Sequence, residues 1–478
     1  MTPTSRSISR MLLFAITVAI TSGVLAQTFP PASLPAPPPE ILNRPLTVED
    51  AVALALQNNP SVTLAGQNVT VAQDELKSAR AGALPSLNLA VDSTYYPGAT
   101  PVSFPGFGTI AGFTFTSTGM AVVNQPLFPF SRLTAPIHSA RANVGANQQA
   151  LSRTRQQVTF QTEQAYYQLL IAQNLLNVAT YAVQVAQGQV TLAQDTFNAG
   201  TAPKLDVLQA QSTLENANVT KEGAQNNVDI ARGTLATQLG LSAGTPVTIV
   251  SPTTVPVAPR EVDPLVKEAL ALRPDLTVLD YRRRQLQAAV ALTRVEELPR
   301  VDLQAAYTNI MAGSSLLEPS GISIGLNIAF TAFDWGKARN DVKAAKTQLA
   351  EVDTMQRQLA ISTTLDVRSA WLNLLNASAQ LASAQKQFEA ANEALRIAGV
   401  RYRAGIGIYL ELQQAYLSAT QALTSFSQAT YQAQTAAAQL DFAVGAPVPF
   451  TTAPIPTLTM TVPPPLPAAA PAAPAPAG

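Results

Sequence analysis

Residues 374–402 read LLNASAQLASAQKQFEAANEALRIAGVRY, and the apolar side chains fall at Leu374, Ala377, Leu381, Ala384, Phe388, Ala391, Leu395, Ala398 and Tyr402. The steps alternate three and four without a break. This is a heptad seam with alanine at every second position, so the helix should meet its partner closely, large knobs opposite small holes. The seam stops at Ala404-Gly405. Glycine there supplies the left-handed residue that ends a helix, and a hairpin is expected.

The same pattern is written 205 residues earlier: Leu169, Ala172, Leu176, Ala179, Val183, Ala186, Val190, Ala193 and Phe197, then Ala199-Gly200. Around it, Ala165-Tyr166 answers to Ala370-Trp371, Leu205-Asp206 to Leu410-Glu411, and Gly240 to Gly445. A fixed offset over so many positions marks a tandem duplication of one supersecondary unit.

Outward from the seams, proline punctuates the chain. Seven of the nineteen residues from Gln27 to Pro45 are proline, as are eleven of the thirty-three from Ala446 to Gly478, so both segments read as extended or disordered arms. The reading is residues 1–26 a signal peptide, 27–45 a Pro-rich arm, 46–245 the first repeat, 246–261 a linker, 262–445 the second repeat and 446–478 a disordered Pro/Ala-rich tail. The signal peptide has Arg6 and Arg10 ahead of the apolar run Met11–Ile20, and Val24-Leu25-Ala26 as a cleavage site. A retained anchor is the alternative, but that run falls short of the ~20 residues a span needs. No other run is read as a membrane-spanning helix.

Each repeat holds two segments of period two, which is the mark of strands. In the first they are about 86–96 and 112–123, with Leu87, Leu89 and Val91 alternating with Asn88, Ala90 and Asp92. In the second they are about 300–309 and 321–331, where Ile322, Ile324, Leu326, Ile328 and Phe330 share one face. Helical hairpins follow at about 132–240 and 335–444. Their long arms would run ~100 Å at 1.5 Å per residue, too long for an ordinary globular domain.

Strands of this length, apolar on one face and small or polar on the other, suit a tilted membrane crossing; the edge of a soluble sandwich is the alternative. Four strands cannot close a barrel, and an open edge is forbidden in lipid, so chains must pool strands. Two copies would give a filled eight-stranded barrel and three a twelve-stranded one with a lumen. The fold class is therefore mainly α with a small β part: long hairpins forming a tunnel, and four strands per chain entering a trimeric twelve-stranded barrel.

With its duplicated helix-strand-strand-helix-helix order, Asn59-Pro60, Leu84-Pro85, and the tips Phe197-Asn198-Ala199-Gly200-Thr201 and Tyr402-Arg403-Ala404-Gly405, the chain resembles the TolC-like outer membrane efflux proteins of Gram-negative bacteria. The resemblance spans residues 46–445. It implies a homotrimeric barrel in outer membrane lipid, continuous with a periplasmic helical tunnel. It also implies docking, at the tips, of a periplasmic adaptor attached to an inner-membrane pump. In the family the second tip commonly carries a basic latch residue two places after the glycine and acids six and nine places after it. Here those places hold Gly407, Glu411 and Gln414. Glu411, Gln414 and, in the place of the first repeat corresponding to Glu411, Asp206 are the candidate gate and selectivity residues, and capping of the helix dipole explains the two acids without any gate.

Charged residues make up 13% of the 478 and the formal net charge is zero, so nothing recommends a nucleic-acid partner. With no cysteine and His138 as the only histidine, disulfides, thiol chemistry, lipid attachment to cysteine, a His-based metal cluster and a Ser-His-Asp triad are all excluded. No enzyme activity and no cofactor are expected. Arg282-Arg283-Arg284 reads as a solvated helix face, and the glycines from Gly106 to Gly112 as an external loop. The function so read is a passive export duct of a tripartite efflux or type I secretion system. A trimeric coiled-coil surface protein with a barrel anchor is the rival.

Overall fold

The structure is a computed structural model and describes residues 44–95, 102–104, 108–110, 115–200, 203–312, 321–403 and 406–455. The first repeat comprises α1 (Val48–Asn58), α2 (Pro60–Ala81), β1 (Ser86–Tyr95), β2 (Val102–Phe104), β3 (Gly108–Ile110), β4 (Phe115–Phe128), α3 (Phe130–Asn198) and α4 (Lys204–Gln238). After β5 (Thr254–Val257), the second comprises α5 (Asp263–Leu272), α6 (Pro274–Arg294), β6 (Arg300–Ala312), β7 (Gly321–Ala329), α7 (Lys337–Arg403) and α8 (Tyr409–Val444), with β8 (Thr451–Pro454) last.

Local chemistry sets the boundaries. Thr47 and Asp50 form a capping box at α1, the Asp50 amide donating to Thr47 Oγ1 at 3.2 Å. Proline separates each pair of short helices: Asn59 and Arg273 both take extended backbone ahead of Pro60 and Pro274. Gly200, Gly240 and Gly445 end their helices at φ +76, +75 and +82. Asp334 opens α7 by accepting the amides of Gly336 (2.9 Å) and Ala338 (2.7 Å).

The main sheet has the order β1-β4-β6-β7, every neighbour antiparallel, so β1 and β7 are free edges. From it the helices hang as one layer. The sheet-proximal half of α3 packs between α2 and α6, its far half between α4 and α8, and α7 packs on α6 and then α8. Each repeat keeps a core where its short helix covers the base of its hairpin: α1 on Val158, Tyr166 and Leu169 of α3, and α5 on Val367, Ala370 and Leu374 of α7. The equivalent aromatics Tyr166 and Trp371 both donate to the segment ahead of that short helix, Tyr166 Oη to Leu46 O at 2.9 Å and Trp371 Nε1 to Pro259 O at 2.8 Å.

Several expectations change. β4 runs on to Phe128 rather than stopping near 123, past a register shift at Pro126 that absorbs the proline. β6 continues to Ala312. The 246–261 linker and the start of the 446–478 tail are not both unstructured, since β5 and β8 pair from Thr254–Pro454 to Val257–Thr451. Val102–Phe104 and Gly108–Ile110, read as loop, pair as a small hairpin. Between Phe130 and Asp195, α3 is apolar enough by length and composition to cross a membrane, against the expectation of no such helix. That stretch is over three times longer than the ~30 Å hydrocarbon core, and part of its apolar surface lies under α1. The seam's close partner is the return helix of the same chain: Ala384 meets Phe426 and Ala429 of α8, and Ala193 meets Val207 and Ala210 of α4. The expected leader over 1–26, residues 27–43 of the expected arm, residues 456–478 of the expected tail, Gly106, Thr201, Ala404 and Gly405 lie outside the described residues.

Candidate functional site

Three regions of the molecule are candidate functional sites: the sheet, the tips of the two hairpins, and the layer joining them. Pairing register stacks the sheet's side chains in tiers. Leu89, Ala121, Tyr307 and Ile322 form one tier and Leu87, Val123, Ala305 and Ile324 the next, all on one face. The other face carries Asn88, Val122, Ala306 and Ser323, then Ser86, Asn124, Gln304 and Gly325. In one protomer Leu89 is 77% and Ile322 78% exposed, a contiguous apolar surface that water disfavours and lipid accepts. Where strands turn into helices, Phe128 lies edge-on to Phe130 (6.5 Å) and Phe333 to Trp335 (4.8 Å), all four exposed. Exposed aromatics at one level suit a membrane–water interface.

At the far end, α3 stops at the left-handed Gly200 and α4 restarts behind Pro203, whose carbonyl accepts the Asp206 amide at 3.1 Å. Asp206 is half-buried in that first turn. At the second tip the amides of Ile406 and Gly407 both donate to Arg401 O at 3.1 Å, and α8 begins after Ile408. Glu411 sits in its first turn, 2.7 Å from Arg401 Nη1 across the tip. The basic latch absent after the glycine is replaced by a base supplied from before the tip, so this tip carries an ion pair. Gln414 is exposed one turn on. Among the described residues no hydrogen bond or ion pair joins Asp206 to Glu411. Of the seam alanines, Ala179, Ala186, Ala193, Ala384 and Ala398 are buried and Ala391 is half-buried. Near the tip Leu395 and Ala398 pack on Leu412, Tyr416 and Ala419, with Ala182 and Val185 of the first hairpin alongside. Of the tip residues, Phe197 is partly exposed and Ala199 caps α3; Tyr402 and Arg403 end α7.

Between sheet and tips, charge is buried. Arg273, 5% exposed, reaches Asp275 at 2.7 Å and Asp366 at 3.1 Å, and Arg153 of α3 lies 3.8 Å over the Phe442 ring and 4.0 Å from Asp275. Burial works against the Asp275 charge, but the hydrogen bond from Arg273 and the charges of Arg273 and Arg153 hold its carboxyl below the usual range. The cluster ties α3, α6, α7 and the C-terminus of α8 together, and the sequence offered no signal for it beyond scattered single charges. Nearby, burial first and then Asp441 and Glu49 push Glu163 up to about 7, and burial pushes Asp441 up to about 6. The arginine run is not merely solvated. Arg283 pairs with Asp353 of α7 at 3.3 Å, Arg282 donates to Gln285, and Arg284 lies over Tyr281.

The profile of the family described as "Outer membrane efflux protein" matches residues 51–241 and 265–446, most of the chain and both repeats. The chain belongs to the outer membrane efflux protein family. It is similar to Protein CyaE of Bordetella pertussis, 26% identical over 429 residues and 88% of each chain, and to outer membrane protein OprJ of Pseudomonas aeruginosa, 23% identical over 82% of this chain and 83% of the relative. The solved outer-membrane channel OprN superposes with a TM-score of 0.71 at 22% identity, covering 84% of this chain and 90% of that one, so the fold is shared. This outer membrane efflux protein is thus a channel subunit located in the outer membrane, a passive duct of the tripartite efflux or type I secretion class and not an enzyme. The sheet is its barrel segment and the helix layer its tunnel wall.

Proposed function

We propose that three copies of this efflux protein close one barrel and one duct, and that a periplasmic adaptor carrying an inner-membrane pump docks at the hairpin tips. The observation that carries this is the four-stranded sheet with an exposed apolar face and two free edges. Backbone groups on such an edge cannot go unpaired in hydrocarbon. β1 and β7 run in opposite directions, so joining the β1 edge of one copy to the β7 edge of the next continues the antiparallel order. Three copies of four strands reach a barrel wide enough for a lumen. Exposed apolar side chains on the outer helices, Leu64 and Val71 of α2 and Ile361 and Leu365 of α7, are surfaces a neighbouring copy would cover. Residues 1–26 fit a leader removed on export.

The tips end in apolar side chains that this chain leaves open: Leu205 and Leu208 on the first, Ile406, Ile408 and Leu410 on the second. Such a patch at the end of a hairpin suits a second protein rather than water. The Arg401–Glu411 pair beside it is the proposed selectivity element of the mouth, with Asp206 and Gln414 as its neighbours. Mass measurement on detergent-purified protein tests the assembly: three chains are expected, and a folded monomer with a closed barrel would overturn it. Cross-linking from a photoreactive group at Ile406 should capture the adaptor, whereas the same group at Ile361 should capture another copy of this chain.

A further inference from the structure

Two cavities lie between α2, α3 and α6 just beneath the barrel segment. They open on opposite faces of the layer, since α3 gives Ser139 and Asn143 to one and His138, Arg141 and Gly145 to the other, about half a helical turn apart. In the first the polar side chains satisfy one another. Asn143 Nδ2 donates to Glu75 Oε2 at 2.9 Å, Gln285 Nε2 donates to Asn143 Oδ1 at 3.0 Å, and Arg282 donates to Gln285 Oε1 at 3.2 Å. A carboxylate and a guanidinium there are already bridged through two amides.

The second cavity, of about 690 Å³, is built from the same helices and has no such internal network. It is an open groove, and the exposed side chains of His138, Arg141 and Arg284 line its rim with the amides of Gln148 and Gln287. No acidic side chain lines it, and among the described residues no ion pair involves any of the three basic groups. On α3 the lining residues 138, 141, 145 and 148 step by three, four and three, and on α6 residues 281, 284, 288 and 291 do the same, so two stripes face one another. Gly145 makes that approach possible, because a β-carbon there would clash with the edge of the Tyr281 ring. Tyr281 in turn carries the Arg284 guanidinium 5.1 Å above its ring centre. Arginine heads remain charged at any physiological pH and present planar forks that match oxyanions in two-pronged fashion.

The geometry points to a binding site for a phosphate group in this cavity, on the head of an inner-leaflet lipid or on a soluble periplasmic anion. All the lining residues come from one chain, so the site does not depend on the proposed trimer. Cationic heads above an apolar wall of Leu76, Ala142 and Ala288 accommodate either a bare phosphate or the neck of an amphiphile. The test uses full-length protein in detergent with two probes: radiolabelled inorganic phosphate in equilibrium dialysis, and phosphatidylglycerol against phosphatidylcholine in native mass spectrometry. Wild type should retain one of the two anionic probes at least tenfold more tightly than the Arg141→Gln/Arg284→Gln double variant. Arg282→Gln, in the first cavity, should bind as wild type does. Retention of phosphatidylglycerol alone assigns the lipid, and retention of phosphate alone assigns the soluble anion. Equal binding of both anionic probes by wild type and the double variant would overturn the site.

Discussion

At the residue scale the selectivity proposed for the mouth of the duct turns on Glu411 and Arg401 together. Both are about half exposed, so their 2.7 Å contact contributes little to stability, on the order of 0–1 kcal/mol, but it cancels charge where cargo would pass. Single-channel recordings should therefore move in opposite directions. Glu411→Gln leaves three unpaired arginines in a trimer and should weaken cation preference. Arg401→Gln leaves three carboxylates and should strengthen it, while Asp206→Asn serves as comparison. Equal selectivity in all three would reduce Glu411 to a helix cap. The acid was legible in the sequence from its place after the tip. Its partner was not, because it lies ten residues back on the other helix. A second residue-scale consequence concerns Glu163 and Asp441, whose carboxyls are pushed up to about 7 and about 6. The folded chain holds these protons more tightly than the unfolded chain, so their contribution to stability falls as pH rises from about 4.5 through 7. Glu163→Gln should raise the apparent melting temperature by about 1–3 °C at pH 8 and leave it unchanged near pH 4. No gain at pH 8 would show that the carboxylate is solvated.

Among the elements, the seams were written plainly and their partners were not. A heptad specifies that a helix has a close neighbour, and the same Ala/large alternation serves a hairpin within one chain or a contact between chains. The burial of Ala384 against Phe426 and Ala429 settles it in favour of the hairpin. Ala384→Leu should then cost about 1–3 kcal/mol through overpacking of α7 on α8, Ala391→Leu less because Ala391 is only half-buried, and Gln385→Leu least. Thermal unfolding checks the order, and equal losses at all three positions would mean that the hairpin yields freely. Strands were legible where alternation was clean, as in β7. They were lost where proline broke it: Pro126 hides the end of β4 at a register shift, and Pro256 and Pro454 hide β5 and β8 in a two-stranded pair with open edges. The Arg273 cluster was beyond reach for another reason. It gathers residues from α3, α6 and α7, and no local spacing announces a meeting of such distant segments.

The whole molecule is a half-finished surface: an apolar sheet face, two bare edges and apolar stripes on its outermost helices, in a chain with formal charge zero. Lipid satisfies the sheet face but not the bare edges, and one operation, rotation about a threefold axis, would pair those edges and bring the helix stripes against neighbouring copies. The absence of cysteine makes the arrangement open to a direct chemical test, because any disulfide formed must join introduced residues. Within one protomer β1 and β7 are separated by β4 and β6, so their backbones lie about 14 Å apart at the usual strand spacing, beyond disulfide reach of roughly 7 Å. Between copies in a closed barrel they are neighbours. Pairs of cysteines, one on β1 from Ser86 to Thr94 and one on β7 from Gly321 to Ala329, should therefore yield covalent dimers and trimers on denaturing gels after mild oxidation. In an antiparallel pairing the productive pairs share one sum of residue numbers, so cross-linking should follow a single diagonal of the position matrix and fall off to either side. Single-cysteine variants should give no trimer band. Cross-links scattered without a diagonal would indicate random collision in micelles, and fast intramolecular bonds would mean that one chain curls its own sheet shut.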